Sequence, residues 1–519
     1  MINNNKKIKF IDMKKQHLIA LVLTASVLFV VLFYQKTMGL NLLLFEAVML
    51  PVMFYLNRPI KFNLLTGSIL FATVLTAVFA VLVNTSWGIF INFVLLFCLG
   101  YVLAFQHGKS FFHTVCGSVV RCVLAQISIF SQNTDGKTKT TATFSFEKNL
   151  YKFLFIIFIP VCLFLFFLLL YAASSERFSL SVQSFFRMIA EHINFSLFWF
   201  FILGLIVANS LLMKTKVLPI YENDLSSSND LKRTRRKYAF PFRTTALRTQ
   251  NTAGIVLLFM LNALILCFNY VDITTIWIGF KWNGNSLKEF VHEGTWVLLF
   301  SVFISAAIAL YFFYNNLNFF SKNRLLKRLT VIWIAQNLMM TVSVTIRNLY
   351  YINYFGLAYK RIAVLFFLAL VFVGLITIII KILKVKTNYF LWRINGFSLL
   401  IVLTVSTLFN WDLIITKYNF AHYNRSFIEY IFIYELRDAS LPYALKTKEE
   451  LSDIHVVQEK IFGITSENYF WNEQNYYERM NDKKIRFLRN YKSRNLLEWN
   501  LPDYLAYKKL TSLNFDKKY

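Results

Sequence analysis

The residues best suited to chemistry are polar side chains within two strongly apolar segments, 292–314 and 330–354. In the second segment, five polar residues recur at spacings of seven, four, four and three: Gln336, Ser343, Arg347, Tyr351 and Tyr354. These spacings place the side chains on roughly one face of a helix. Because an arginine at the centre of a membrane helix costs about 2.5 to 3.5 kcal/mol, Arg347 is expected to face protein or water, not lipid.

His292 and Glu293 open the first of these segments. Arg347 follows Thr330 by 17 residues in a helix predicted to run outward, so it lies about 25 Å along that helix. It is then near the external interface, at the level of Glu293, and an Arg347–Glu293 ion pair is predicted. The pair either locks two helices together or belongs to a substrate or ion site.

The dipeptide His292-Glu293 also suggests a zinc protease. That motif needs a second histidine four residues after the first, on the same helical face, and position 296 is Trp296. The metalloprotease hypothesis therefore fails, and no metal site is predicted. The sequence also lacks a Walker A loop, a glycine-rich dinucleotide fingerprint, a G-x-S-x-G elbow and a Cys-x-x-Cys pair, so no cofactor is predicted.

Glu46 is the acidic residue near the middle of an apolar segment, five residues before Pro51. A carboxylate at that depth is costly unless it is protonated, hydrogen-bonded or functional. One interpretation is structural, with Asn41, Asn262 or Gln336 satisfying it. The other is that Glu46 couples a proton or cation to transport.

Composition predicts an all-α polytopic membrane protein. The 519 residues are 57% hydrophobic and 18% aromatic, and their mean hydropathy of +0.51 is far too high for a soluble fold of this size. The net charge of +28 does not predict nucleic-acid binding, because most of it lies between apolar segments. The partner predicted from composition is the lipid bilayer.

About eleven apolar segments meet the length of roughly 20 residues that a bilayer-spanning helix requires. They are 17–34, 39–56, 63–84, 87–105, 151–173, 195–213, 254–271, 292–314, 330–354, 361–383 and 390–409. Two further stretches, 110–130 and 177–194, contain several polar residues and are predicted to be interfacial or re-entrant. We therefore predict a transmembrane helical domain over 1–409 and a tail over 410–519 with helices at 424–437, 447–462 and 471–494.

The distribution of basic residues predicts orientation. With the N-terminus inside, the cytoplasmic loops carry 30 Lys and Arg residues and the external loops seven. An odd number of spans then places the tail outside a bacterial cytoplasmic membrane. The longest cytoplasmic loop, 214–252, carries a basic cluster from Lys232 to Lys237 that is expected to rest on anionic lipid headgroups or to bind an acidic partner.

Several short motifs in the second half resemble a bacterial membrane-protein family. They are Asn269-Tyr270-Val271-Asp272 with Trp277, Val291-His292-Glu293-Gly294-Thr295, Tyr354-Phe355-Gly356-Leu357, Lys360-Arg361-Ile362, Asn410-Trp411-Asp412, Tyr418-Asn419 and Asp438-Ala439-Ser440-Leu441-Pro442. Their order and spacing over about 240–445 resemble the multi-pass proteins grouped as domain of unknown function 4173 (DUF4173), close to the 4153 group. The resemblance implies an integral membrane protein without an assigned activity or catalytic residues.

The leading functional hypothesis is a non-enzymatic structural, regulatory or envelope-associated membrane protein. The alternative is an ion-coupled secondary transporter, in which Glu46 couples an ion and the Arg347 face meets an anionic substrate. A third hypothesis is a membrane transferase for lipid-linked substrate, with a groove ending at His292, Glu293 and Arg347. The sequence shows no inverted repeat that would favour the transporter.

Overall fold

The computed structural model describes the backbone of residues 15–128, 159–192, 195–213, 215, 218–233, 247–278, 286–313, 316–463 and 473–512. Within these ranges every regular element is helical, which confirms the predicted fold class. Up to residue 406 the helices are α1 (Lys15–Phe33), α2 (Leu40–Leu56), α3 (Leu64–Leu82), α4 (Ser86–Ala104), α5 (Phe111–Ser128), α6 (Ile159–Ser174), α7 (Glu176–His192), α8 (Phe195–Leu212), α9 (Leu218–Ser226), α10 (Leu247–Asp272), α11 (Ser286–Phe312), α12 (Arg324–Phe355), α13 (Tyr359–Leu383) and α14 (Asn388–Ser406).

The tail is helical too. Its helices are α15 (Trp411–Ala421), α16 (Tyr430–Glu435), α17 (Leu441–Ala444), α18 (Lys448–Phe462), α19 (Glu473–Lys492) and α20 (Leu501–Ser512). The predicted helices at 447–462 and 471–494 correspond to α18 and α19. The stretch 424–437 forms only the short α16, and the sequence reading missed α15 and α20.

Eight helices among the described residues are long and apolar enough to cross a membrane: Gln16–Phe33, Leu64–Leu82, Ser86–Ala104, Phe195–Leu212, Leu247–Ile278, Arg324–Phe355, Tyr359–Leu383 and Asn388–Ser406. The chain is therefore a multi-pass membrane protein. The other three predicted spans fall on the shorter apolar helices Leu40–Leu56, Ile159–Ser174 and Val297–Phe312. The count of about eleven spans stays a prediction.

Side-chain caps fix where several helices begin. Asn63 accepts a hydrogen bond from Thr66 N at the start of α3, and Thr85 accepts one from Gly88 N at the start of α4. Thr387 and Asn410 cap α14 and α15 in the same way. Each cap satisfies a backbone N–H that the first turn leaves without an intrahelical partner.

The chain divides into two compact units, and the first comprises Met1–Lys36, Phe45–Ile60 and Gly117–Val217. Here α1 packs against α8, with the Phe29 ring stacked on Phe200 at 5.4 Å. The guanidinium of Arg121 in α5 donates to the carbonyls of Leu211 (3.2 Å) and Met213 (2.9 Å). Arg121, one of the polar residues that interrupt 110–130, thus binds the carboxyl end of α8. Whether this segment is interfacial stays a prediction.

The second unit comprises Thr37–Leu44, Lys61–Cys116 and Leu218–Tyr519. Its longest helix, α12, contacts α10, α11 and α13, while α13 packs against α14 and α3 against α4. The tail helices belong to this unit. Ile362 at the start of α13 packs in one apolar cluster with Ile415, Ile433 and Tyr476. The predicted division into a membrane domain over 1–409 and a tail over 410–519 stays a prediction.

Candidate functional site

The polar face predicted on α12 is buried and binds the carboxyl end of α10. Asp272, the last residue of α10, is 4% exposed and uses both carboxylate oxygens. Its Oδ2 accepts a hydrogen bond from the Ser343 hydroxyl, and its Oδ1 forms an ion pair with the Arg347 guanidinium. A carboxylate and a guanidinium buried together compensate each other's loss of hydration, which neither could bear alone.

A π-helical turn, Ile273–Ile278, directly follows Asp272. The Tyr350 hydroxyl of α12 donates to the carbonyl of Ile276 in that turn at 3.2 Å. The wider turn shifts the chain by one residue and leaves backbone groups that a neighbouring side chain can bind. This contact and the ion pair fix the end of α10 against α12.

Gln336 lies deeper along the same interface. Its amide nitrogen donates to Asn262 Oδ1 at 2.7 Å, and its backbone carbonyl accepts from the Asn269 amide at 3.2 Å. Asn262 also donates to the carbonyls of Leu258 and Leu329. The seam between α10 and α12 is thus joined by side-chain amides as well as by apolar packing.

Tyr351 lies near the carboxyl end of α12, where the chain turns into α13. The Arg361 guanidinium lies over the Tyr351 ring, 4.4 Å from its centroid, and donates to the carbonyl of Phe355 at 2.7 Å. It also donates to the carbonyl of Gly356. Arg361 therefore binds the last carbonyls of α12, the negative end of its dipole.

The next turn joins α12 to the tail. Gly356 has φ +77°, a left-handed conformation that favours glycine, and the backbone of Leu357 forms two hydrogen bonds with the Asn419 amide, at 2.6 and 3.0 Å. The Tyr359 hydroxyl donates to Asp412, which also accepts from Arg437 N at 3.0 Å. Most motifs that carried the family resemblance thus meet in this one region of the second unit.

Some of the predicted site residues are not among those that make these contacts. The side chains of His292 and Glu293 lie outside the described residues, so the Arg347–Glu293 pair stays a prediction. Glu46 belongs to the first unit and is 1% exposed, and its role in ion coupling stays a prediction. Among the described residues no group of three or more His, Cys, Asp or Glu side chains is placed to hold a metal ion.

Asp272 is the acidic partner that sequence reasoning missed. A signal was available, because the buried polar residues Asn251, Asn262, Asn269 and Asp272 of α10 are separated by helical spacings of eleven, seven and three. The predicted span ends at residue 271 and leaves Asp272 in a loop. What the arrangement can do chemically is limited, since both Asp272 oxygens are bound by neighbouring side chains.

Comparison with known proteins gives a family but no activity. The chain matches the family described as Domain of unknown function (DUF4153) over residues 70–447, which is more than half of its length and includes the predicted 240–445 region. No curated protein and no solved structure matches significantly. Membership of the neighbouring 4173 group stays a prediction. The chain, with its apolar helices and its buried polar seam, belongs to the DUF4153 family of domains of unknown function.

Proposed function

We propose that this protein is a non-enzymatic, structural or envelope-associated component of the bacterial cytoplasmic membrane, whose helix bundle holds the tail 410–519 against the extracytoplasmic surface. The observation that carries the proposal is the set of long-range contacts between the tail and membrane-helix ends. Arg437 donates to the carbonyl and, at 2.6 Å, to the side-chain oxygen of Asn84, between α3 and α4. Contacts of this kind favour a tail in fixed register with the bundle.

A second contact of the tail involves the turn before α2. Glu498 accepts hydrogen bonds from Thr37 N at 3.0 Å and Thr37 Oγ1 at 2.9 Å. The Leu40 N–H donates to the carbonyl of Trp499 at 2.9 Å. Because Thr37, Asn84 and the 356–361 turn all fall where the basic-residue bias predicts external loops, these contacts support an external tail and a cytoplasmic N-terminus.

The closed state of the Asp272–Arg347 pair argues for a structural role. A substrate-binding arginine would need accessible donors, and a coupling carboxylate would need a path for an ion. Here the two charged groups bind each other and Ser343 within a buried interface. The transporter and transferase hypotheses gain no comparable support. Substitution of the buried Glu46 tests the transporter hypothesis directly.

Complementation of a deletion strain distinguishes the structural proposal from the transporter hypothesis. The readout is sensitivity to envelope stress, with equal membrane levels of each variant. We expect Glu46→Gln and the double variant Asp272→Asn/Arg347→Gln to restore wild-type resistance, and a chain ending at residue 409 to fail. If Glu46→Gln fails while the truncated chain complements, the protein works through ion coupling in the membrane and the structural proposal is wrong.

A further inference from the structure

The last described helix, α20, has one buried side and one exposed side. Its buried residues recur at helical spacings, and they are Pro502, Asp503, Ala506 and Leu510. The opposite side presents Tyr504 and Leu505, which are 40% and 52% exposed, and the exposed Lys508. A tyrosine, a leucine and a lysine together are typical of segments in the membrane interface, where the ring and alkyl groups meet lipid and the charge meets headgroups. We call Tyr504, Leu505 and Lys508 the α20 surface.

Contacts within the second unit place α20 at the ends of apolar helices. It packs against α3, which is long and apolar enough to cross a membrane. It also packs against Asp438–Ser440, and the preceding residue, Arg437, binds Asn84, two residues after α3 ends. Just before α20, the Trp499 carbonyl accepts a hydrogen bond at 2.9 Å from the N–H of Leu40, the first residue of α2. Because spans end in the headgroup region of a bilayer, α20 is expected at that depth.

The chain around the α20 surface is strongly basic. Residues 483–512 include eight Lys and Arg and only two acidic residues, Glu498 and Asp503. Glu498 accepts hydrogen bonds from Thr37. Asp503 is buried and forms an ion pair with Arg494 at 2.6 Å. The exposed cations of this stretch are Arg486, Arg489, Lys492 and Lys508. The two carboxylates are therefore bound within the protein, and the charge presented to the outside is positive.

The orientation of α20 is fixed by its buried side. Ala506 and Leu510 belong to an apolar cluster of the tail. The Tyr507 ring stacks on Tyr491 of α19, with centroids 4.5 Å apart and an angle of 22° between the ring planes. These contacts hold α20 against the rest of the tail, and they keep the α20 surface directed outward. The surface is thus a fixed feature of the folded tail.

Position and charge together favour lipid as the partner of the α20 surface. Its apolar groups lie beside the ends of apolar helices, where a bilayer would cover them, and the excess of cations complements the phosphate of anionic lipids. A second copy of the chain would bring the same positive charge to the contact, and like charges repel. An acidic macromolecule outside the membrane would match the charge but would leave Tyr504 and Leu505 without an apolar contact.

We propose that the α20 surface lies in the interface of the bilayer and binds the headgroups of anionic phospholipids. Tyr504 and Leu505 contact the upper acyl carbons, while Lys508 and Lys492, at the end of α19, bind phosphate. This inference rests on the docking of the tail that the proposed function invokes, and it adds a direct contact between the tail and lipid.

Fluorescence quenching by a labelled lipid tests the contact. Full-length protein without its native cysteines is placed in nanodiscs, one copy per disc so that a second copy cannot cover the surface, and Leu505→Cys carries a nitrobenzoxadiazole label. The matched control is the same label on Val456→Cys in α18, where the native side chain is 60% exposed. The discs contain phosphatidylcholine, phosphatidylglycerol and a phosphatidylcholine with a nitroxide on its upper acyl chain. The label at 505 should be strongly quenched, and the label at 456 should not.

Charge variants test the role of the anionic headgroup. Each basic residue beside an anionic surface contributes about fivefold to binding, so Lys492→Gln combined with Lys508→Gln should lower the ratio of quenched to unquenched label at 505 about 25-fold. Omitting phosphatidylglycerol should also lower this ratio. Lys460→Gln, which removes an exposed charge from α18, should leave it unchanged. Melting temperatures equal to that of the unsubstituted chain check that each variant is folded.

Two results would overturn the proposal. Quenching at 505 no stronger than at 456 would exclude the contact with lipid and favour an acidic macromolecule as the partner. Quenching that changes neither without phosphatidylglycerol nor in the double variant would exclude anionic headgroups as the ligand. Either result leaves the proposed function intact, because complementation by the chain ending at residue 409 tests that function separately.

Discussion

At the residue scale, the contribution of the buried Asp272–Arg347 pair to stability depends on the presence of both partners. Removing one member of a buried ion pair leaves an uncompensated charge and costs about 3 to 5 kcal/mol, whereas replacing both can be nearly neutral. We therefore expect Asp272→Leu and Arg347→Met each to lower the melting temperature of the detergent-solubilised protein strongly. The double variant should recover most of the loss.

Ser343→Ala is the matched control for the two single variants and the double variant. It removes one hydrogen bond to Asp272 and leaves the ion pair, so its effect should be only about 1 to 2 kcal/mol. If the losses of the two single variants simply add in the double variant, the charged groups do not stabilise each other. The pair would then have a role other than joining α10 to α12.

Gly356 gives a prediction with two internal controls. It has φ +77°, and a Cβ there would lie 2.6 Å from Asn419 Oδ1, so Gly356→Ala combines backbone strain with displacement of the amide that binds Leu357. Gly463 has φ +61° but open space around it, and Gly67 has open space within a helix. Thermal unfolding should rank the losses Gly356→Ala, then Gly463→Ala, then Gly67→Ala.

The expected changes in stability of the three glycine variants have different physical causes. Left-handed backbone costs a non-glycine residue about 1 to 2 kcal/mol, which should be the whole effect at Gly463. Gly67→Ala should be neutral or stabilising by up to about 1 kcal/mol, because alanine favours helix. A Gly356→Ala loss no greater than that of Gly463→Ala would mean that Asn419 moves aside without cost.

From the sequence, only the part of the site that depends on a single helix could be predicted, namely which residues share one face of α12. The spacing of Gln336, Ser343 and Arg347 placed them on one face, and the structure buries all three. Their partners could not be assigned, since Asp272 and Asn262 lie on another helix, more than 70 residues earlier in the chain. Periodicity gives the direction in which a side chain points and carries no information about which helix it meets.

At the scale of elements, the membrane spans could be predicted from local sequence, whereas parts of the tail depend on contacts with distant residues. Long apolar runs identified the helices around α12 because burial in lipid requires length and composition alone. The tail helices α16 and α17 have six and four residues, too few for a periodic pattern, and form by packing against neighbours. The 353-residue separation between Arg437 and Asn84 likewise leaves no local signal.

The contact between the tail and the α1–α2 turn should depend on pH through Glu498. Burial raises the pKa of this carboxyl, but the hydrogen bonds from Thr37 and Asn495 and the charge of Arg494 together outweigh burial and hold the pKa below its ordinary value. A carboxyl with a lowered folded-state pKa stabilises above its unfolded pKa of about 4.3, and that contribution disappears as pH falls through the folded value. The contact should therefore be intact at neutral pH and weaken in acid.

The check compares wild type with Glu498→Gln at several pH values. The variant should have the lower melting temperature at pH 7, and the difference should shrink as pH falls below the ordinary carboxyl pKa. Taking the difference removes the contribution of all other titrating groups. A difference that is constant across this range would show that the Glu498 charge does not contribute to docking of the tail.

For the whole molecule, the tail contacts lie at one end of the membrane spans α4 and α13, and the starts of α5 and α14 lie at the other end. The tail contacts Asn84, in the turn between α3 and α4, whereas α5 and α14 begin just after the other ends of α4 and α13. Helices of 19 and 25 residues are about 28 and 38 Å long, comparable to the hydrocarbon core. We therefore predict that the tail and the start of α5 lie on opposite sides of the membrane.

Thiol labelling in intact cells tests that arrangement. In a cysteine-free chain, Leu496→Cys places a thiol at an exposed tail position, and restoring Cys116 places an exposed thiol in the second turn of α5. A membrane-impermeant maleimide should label Leu496→Cys in intact cells, and Cys116 only after the cells are permeabilised. The reverse pattern would invert the topology. Labelling of both thiols before permeabilisation would mean that the tail and the start of α5 share a side, against the prediction from the helix lengths and the basic-residue bias.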